Sequence, residues 1–196
     1  GIFKTTNGGV TWKAIFDDQP VASIGAIAIA PSNPNVIYAG TGEGNPRNDA
    51  AILDGIYKSI DAGDHWVNVG LPDSEKFARI VVDPRNADIV YACAMGREWG
   101  PNDERGLFKT IDGGKSWKKV LYQNDLTGCS DVDIDPTNAN IVYAGMFTFR
   151  RWAWYTESGG GETAVHKSVD GGATWMRLSG PDASRGLPKG PMDRIG

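Results

Sequence analysis

Apolar residues in this chain come in short runs of about seven, separated by turns that hold Pro, Asn, Asp and Gly. One layout recurs. Ile27 to Ala30, a turn opened by Pro31, and Val36 to Gly40 form its first copy; Ile80 to Cys93 and Val132 to Gly145 repeat it. Pro31, Pro84 and Pro136 preset φ for a tight turn, and the neighbouring Asn and Asp residues suit its corners. The runs are rich in Val, Ile and Tyr, which predicts strands. A third run follows: Ile2-Phe3-Lys4, Ile56-Tyr57-Lys58, Leu107-Phe108-Lys109 and Val165-His166-Lys167. Its lysine stays in phase, as an outward or stacking position requires. A fourth run begins at a tryptophan each time.

Between the third and fourth runs lies one motif, [S/T]-x-[D/N]-x-G-x-x-Trp. Its copies are Thr5 to Trp12, Ser59 to Trp66, Thr110 to Trp117 and Ser168 to Trp175, with tryptophans 54, 51 and 58 residues apart. A period near 50 is the mark of a repeat architecture. The Asp/Asn-x-Gly is a hairpin turn, in which Gly supplies φ > 0 and the acid or amide accepts turn N–H groups. Four antiparallel strands per repeat make one β-propeller blade. With strands lettered A to D outward from the axis, residues 1–16 supply C and D of one blade. Full blades follow at 22–69, 77–121 and 129–178, and 179–196 links to a next blade, with Asp193 to Gly196 resembling the start of its A strand. The fold class expected is therefore an all-β propeller, with about three and a half blades in this chain. Gly1 falls inside a repeat, so the chain reads as a piece of something longer. Its open edges call for the remaining blades of a longer chain or for a partner chain.

The 196 residues are 40% hydrophobic and 22% charged, which suits a globular class. The net charge of −4 is spread among interspersed acids and bases, so neither nucleic acid nor a membrane surface is indicated. The longest nearly apolar run, Ile24 to Ala30, is strand-length and excludes a membrane-spanning helix by sequence. Cys93 occupies the repeat slot of Gly40 and Gly145, and Cys129 that of Ile24 and Phe77. Both read as small buried residues; a bond between them is open, since no framework of spacings supports it. His65 and His166 also fill repeat slots, which removes metal-centre and triad readings. Asp61-Ala62-Gly63-Asp64 lacks the dense oxygen ligands of a calcium loop. No metal and no cofactor are expected.

The tryptophan motif resembles the Asp-box, or BNR repeat, with Asn7 replacing Asp in the first copy. The stretches Gly40-Thr41-Gly42-Glu43, Trp99 to Gly106 and Gly186 to Pro191 resemble large bacterial proteins labelled sortilin-like or glycosyl hydrolase with BNR repeats. The resemblance implies a secreted or periplasmic propeller. It also implies that the motif turns lie away from any active site, which makes Asn7, Trp12, Asp61, Trp66, Asp112, Trp117, Asp170 and Trp175 structural. The arginine triad and Arg-Ile-Pro motif of sialidases are missing, the nearest stretch being Arg194-Ile195-Gly196.

Chemistry is expected on the opposite face, in the B–C loops Thr41 to Asp54, Ala94 to Arg105 and Met146 to Thr163, which break the repeat. Arg97, Trp99, Arg150, Arg151, Trp152, Trp154 and Tyr155 are the ligand-binding candidates. Aromatic faces stack on sugars, Arg grips carboxylates, and the same residue types dominate protein-binding surfaces. Glycoside hydrolysis requires two carboxylates about 5 to 9.5 Å apart; Glu43, Glu98, Asp103 and Glu104 are weak candidates for such a pair. The function expected is a secreted sortilin-like scaffold binding peptide or carbohydrate on this face; the alternatives are part of an Asp-box glycoside hydrolase, or a purely structural propeller in a larger assembly. An aromatic groove, an open carboxylate pair or loops packed flat would distinguish them.

Overall fold

The computed structural model describes residues 1–45, 53–180 and 186–196. It is an all-β, partial propeller of antiparallel sheets. A half-blade pairs β1 (Phe3–Lys4) with β2 (Lys13–Ala14). Blade one is β3 (Ile24–Ile29), β4 (Ile37–Thr41), β5 (Ile56–Ser59) and β6 (Val67–Asn68) in that order. Blade two is β7 (Phe77–Asp83), β8 (Asn86–Ala94), β9 (Gly106–Thr110) and β10 (Lys118–Leu121). Blade three is β11 (Thr127–Ile134), β12 (Val142–Arg151), β14 (Ala164–Ser168) and β15 (Met176–Arg177), and β13 (Thr156–Ser158) pairs with the extended end of β12. Among the described residues no helix is long and apolar enough to cross a membrane.

The core lies between blades. The B strands β4 and β8 are buried on both sides, which is why their runs are nearly all apolar. Successive side chains go to opposite neighbours. In β4, Ile37 and Ala39 pack with Ile2, Phe16 and Trp66 toward the half-blade, whereas Tyr38 packs with Phe77, Ile80 and Val82 toward blade two. In β8, Val90 and Ala92 join that second layer, whereas Tyr91 and Cys93 face blade three.

One contact recurs at each boundary with different residues. A Cβ placed on Gly40 would lie 2.6 Å from the Phe77 Cβ. At the next boundary Cys93 and Cys129 occupy the same two slots and form a disulfide, with their Cα atoms 4.8 Å apart. At the third, a Cβ on Gly145 would stand 3.1 Å from Ile195, which sits in the slot of Phe77 and Cys129. Ile195 is held by Ser130 Oγ, which donates to its carbonyl at 2.6 Å. The cysteines are thus buried, as their slots require, and are joined as well.

The tryptophan motif folds alike in all four copies. The first Ser or Thr hydroxyl donates to the Asp or Asn oxygen at 2.7–3.0 Å and accepts the N–H of the motif glycine at 2.8–3.0 Å. That Asp or Asn oxygen also accepts the N–H four residues on at 2.8–3.0 Å. The second carboxylate oxygen accepts Ser116 Oγ at 2.6 Å and Thr174 Oγ1 at 2.5 Å; in the second copy His65 Nδ1 takes the same place at 2.6 Å from Asp61. These bonds hold the Asp112 and Asp170 carboxyls down at about 2. They also depress Asp61 and raise His65.

The last three of the four motifs are clasped by the preceding blade. Lys4, Lys58 and Lys109 donate across the boundary to the carbonyls of Ala62, Gly113 and Gly171, at 2.8, 3.2 and 2.7 Å. Lys58 and Lys109 lie over Tyr38 and Tyr91, their partners on the adjacent strand, at 5.3 and 5.0 Å. In the reverse direction Trp66 Nε1 donates to Ile15 O at 2.6 Å and Trp117 Nε1 to Val69 O at 2.8 Å. The in-phase lysine is a stacking and clasping position.

Candidate functional site: the B–C loop face

The three B–C connections leave the same end of the propeller. Arg47 and Asp49 of the first lie outside the described residues. Glu43 of that loop accepts Ser23 Oγ at 3.5 Å.

The second loop, 94–105, is tied down rather than open. Arg105 is fully buried. Its Nη1 donates to Leu126 O at 3.2 Å and Phe149 O at 3.3 Å. Its Nη2 donates to Gly100 O at 3.1 Å and to Arg97 O. The guanidinium also lies 4.7 Å from the centre of the Phe149 ring. No carboxylate pairs with it directly; four carbonyls from its own loop, the next linker and blade three surround it. Burial lowers this arginine to about 10. Gly96 makes room for the arrangement, with φ +77 and a Cβ position 2.1 Å from Arg105 Cγ.

Glu98 sits inside this loop, 1% exposed, in a buried ion pair with Lys76 from the blade one to blade two linker. Its backbone carbonyl accepts Arg151 N at 2.8 Å, joining the second loop to the third. Arg97 Nε donates to Glu75 at 2.9 Å, and Asn102 Nδ2 to Asp73 O at 3.0 Å. Asp103 and Glu104 lie at the surface beside Tyr122 (3.3 Å) and Lys119 (3.7 Å) respectively. Glu98 therefore acts within the loop scaffold, apart from the two surface carboxylates.

The third connection, expected to be an irregular loop over 146–163, is instead a β-hairpin arm. Strand β12 runs on to Arg151, and Phe149, Arg150 and Arg151 pair with Ser158, Glu157 and Thr156. Phe147 and Phe149 anchor it, stacked 5.5 Å apart with Met95 in a small core beneath the face. The arm closes on a turn in which Trp152 N donates to Tyr155 O at 2.8 Å. Its tip is a layer of rings: Trp152 lies 6.0 Å from Tyr155 and 6.1 Å from Trp154, with interplanar angles of 10° and 30°. Arg150 lies over the Trp152 ring at 3.6 Å, and Arg151 over Trp99 at 5.9 Å. Trp154, Tyr155 and Trp99 remain 78%, 49% and 48% exposed. The chain end runs beside the arm, with Gly160 bridging to Met192 and Ser158 Oγ donating to Asp193 at 2.5 Å.

The structure thus brings together Trp99, Arg151 and the ring layer with Arg150. It draws Arg97 and Glu98 into the scaffold. Lys76 and Glu75 complete the face without having stood out in the sequence, and Arg105, a loop residue that breaks the repeat, was not among the site candidates. Arg105 precedes strand C, where Asp54 and Thr163 stand in other blades, and that lone departure was its signal. Lys76 lies in a linker that the repeat does not predict. Among the described residues no cluster of His, Cys, Asp and Glu could hold a metal.

No protein-family model matches the chain. It is 26% identical over 191 residues to a xyloglucanase of a Paenibacillus species, covering 84% of this chain and 17% of that protein. A xyloglucanase of Acetivibrio thermocellus is 29% identical over 125 residues, covering 61% and 14%. Among solved structures, an ancestral GH74 enzyme superposes with a TM-score of 0.62 at 19% identity, over 89% of this chain and 19% of that one. A GH74 enzyme of Niastella koreensis gives 0.52 at 19%, over 78% and 20%. The chain spans about a fifth or less of each of these proteins. The structural likeness shows the propeller fold. The sequence kinship lies with glycoside hydrolases, and these matches leave a sortilin-like assignment without support.

Proposed function

We propose that this chain is a section of a polysaccharide-hydrolase propeller whose loop face holds a glycan chain. The observation that carries the reading is the exposed ring layer of Trp154 and Tyr155 on a rigid arm, beside Trp99 of the preceding loop. Rings held by a hairpin offer flat apolar area at low entropic cost. Kinship to xyloglucanases favours carbohydrate over peptide as the ligand. Its contribution is binding, since Glu98 is engaged by Lys76 and is shielded from any substrate. The Cys93–Cys129 disulfide favours an oxidising compartment, hence a secreted or periplasmic protein. The motif turns serve the scaffold, and the edge exposing Phe3 and Trp12 is completed by further blades or a partner chain.

The test is calorimetric titration with xyloglucan oligosaccharides. A Trp99→Ala/Trp154→Ala variant with unchanged thermal unfolding is expected to bind at least about tenfold more weakly, a loss on the order of 1.4 kcal/mol. Unaltered affinity in the folded variant would overturn the site. Hydrolysis abolished by Glu43→Gln with binding retained would make this section catalytic instead.

A further inference from the structure

The arm carries cationic groups of a kind found nowhere else among the described residues. Arg79, Arg85, Arg97 and Arg177 each lie within 4.0 Å of a carboxylate, namely Asp131, Asp83, Glu75 and Glu162. Arg105 is enclosed by carbonyls. Arg194 meets Asn45. Arg150 and Arg151 have no carboxylate in ion-pair range. Among the described residues the Arg150 side chain forms no hydrogen bond, and that of Arg151 forms one, from Nη1 to Thr156 Oγ1 at 2.8 Å. Their Nε atoms are shielded and unpartnered, so the terminal nitrogens are the donors left for a ligand.

Both guanidinium groups are fixed by rings. A guanidinium laid flat on an indole uses its face and turns its N–H edge outward, the geometry that grips a planar carboxylate with two parallel bonds. Arg150 Cζ stands 3.6 Å over the centre of the Trp152 ring, a distance that suits this posture, next to the exposed rings of Trp154 and Tyr155. Glu157 lies opposite Arg150 in the hairpin and makes no ion pair with it. Two cations are too few for a nucleic-acid track, and the chain as a whole is acidic at −4.

We infer that the arm selects an anionic oligosaccharide, with a sugar ring on Trp154 and Tyr155 and the carboxylate of a uronic-acid residue on the outward edge of Arg150. Arg151, set over Trp99 on the neighbouring loop, serves an acidic residue further along the same chain. This rests on the glycan-binding reading above and adds the charge of the ligand to it.

The experiment compares tetragalacturonate with its methyl ester, which has the same length and linkage without the charge, on the 196-residue chain at low ionic strength. The free acid is expected to bind at least about tenfold more tightly, with the difference shrinking as salt rises. Arg150→Gln, checked by near-ultraviolet circular dichroism for an intact ring layer, is expected to remove most of the acid's advantage, and Arg150→Gln/Arg151→Gln to bring the acid to the affinity of the ester. Glu157→Gln is expected to tighten the acid alone. Equal binding of acid and ester would overturn the charge preference and leave the glycan reading standing. Absence of binding by acid, ester and xyloglucan oligosaccharides alike would remove both. An acid preference left undiminished by Arg150→Gln or surviving Arg150→Gln/Arg151→Gln, or an acidic peptide of equal charge that binds more tightly than the sugar, would also overturn the assignment.

Discussion

The two faces of the propeller handle hydrogen bonding in opposite ways. On the motif face four turns repeat one set of bonds within a few tenths of an ångström, and each carboxylate is satisfied inside its own turn. On the loop face no connection repeats another, and a single arginine gathers four carbonyls. Seven of the eight unpartnered buried side-chain groups among the described residues also belong to loop-face segments: Ser74, Glu98, Asn102, Arg105, Arg150, Arg151 and Trp152. A saturated face has little left with which to recognise a ligand, whereas the irregular one is built from polar groups that its own bonding does not fully use. The contrast separates scaffold from candidate site more sharply than residue type does.

The largest effect expected is on the loop face. Arg105→Met removes the donor from four carbonyls and should cost on the order of 4 kcal/mol, read from thermal or denaturant unfolding. A loss below about 1 kcal/mol would mean that the loops are held elsewhere. On the motif face Trp66→Ala should cost about 3–5 kcal/mol, since the ring is 9% exposed and packs on Phe16 at 5.2 Å. Trp12, in the same motif position but 60% exposed at the open edge, should cost under about 0.5 kcal/mol on the same substitution. Equal costs would show that the motif tryptophan stabilises its own turn and owes nothing to the neighbouring blade.

His166 provides a pH test. It is buried where other blades have Phe3, Tyr57 and Phe108, accepts one bond at Nε2 from Gln123 Nε2 at 3.1 Å, and is pushed down to about 4 by burial. The fold favours the neutral ring, so its stabilisation is complete above about pH 6.5 and is lost as pH falls toward 4. That loss amounts to about 3 kcal/mol. His166→Phe should flatten stability across that window, and an unchanged slope would assign the acid sensitivity to other groups. The last test is Asp112→Ala. It should lower the unfolding midpoint at neutral pH and leave glycan affinity unchanged, and the difference from the parent chain should vanish as pH falls from about 4 toward 2, where the carboxylate is protonated. Loss of binding without loss of stability would place function on the motif face.

The repeat made the blades legible, because B strands sandwiched between neighbours must be apolar on both sides and the motif turn requires its Asp, Gly and Trp at fixed offsets. The arm was legible in principle: Phe147, Phe149 and Arg151 alternate with Thr148 and Arg150, a strand period that continues β12 past its expected end. The disulfide was less accessible. Its slots were identified correctly, but nothing in one chain's spacing reveals that the B-strand slot of one blade faces the A-strand slot of the next. Lys76 and Glu98 meet only because a linker and a loop cross in space, so no local pattern announces them.

The lysine and tryptophan clasp also gives the chain a direction. Lys4, Lys58 and Lys109 all reach forward to the next blade, and Trp66 and Trp117 all reach back. At one end Gly8 and Trp12 present the same kind of turn, with no lysine against it among the described residues. At the other, Lys167 rests on Tyr143 at 5.2 Å with no motif carbonyl ahead of it among the described residues. The two edges are therefore opposite poles, and contact between them is heterologous rather than two-fold.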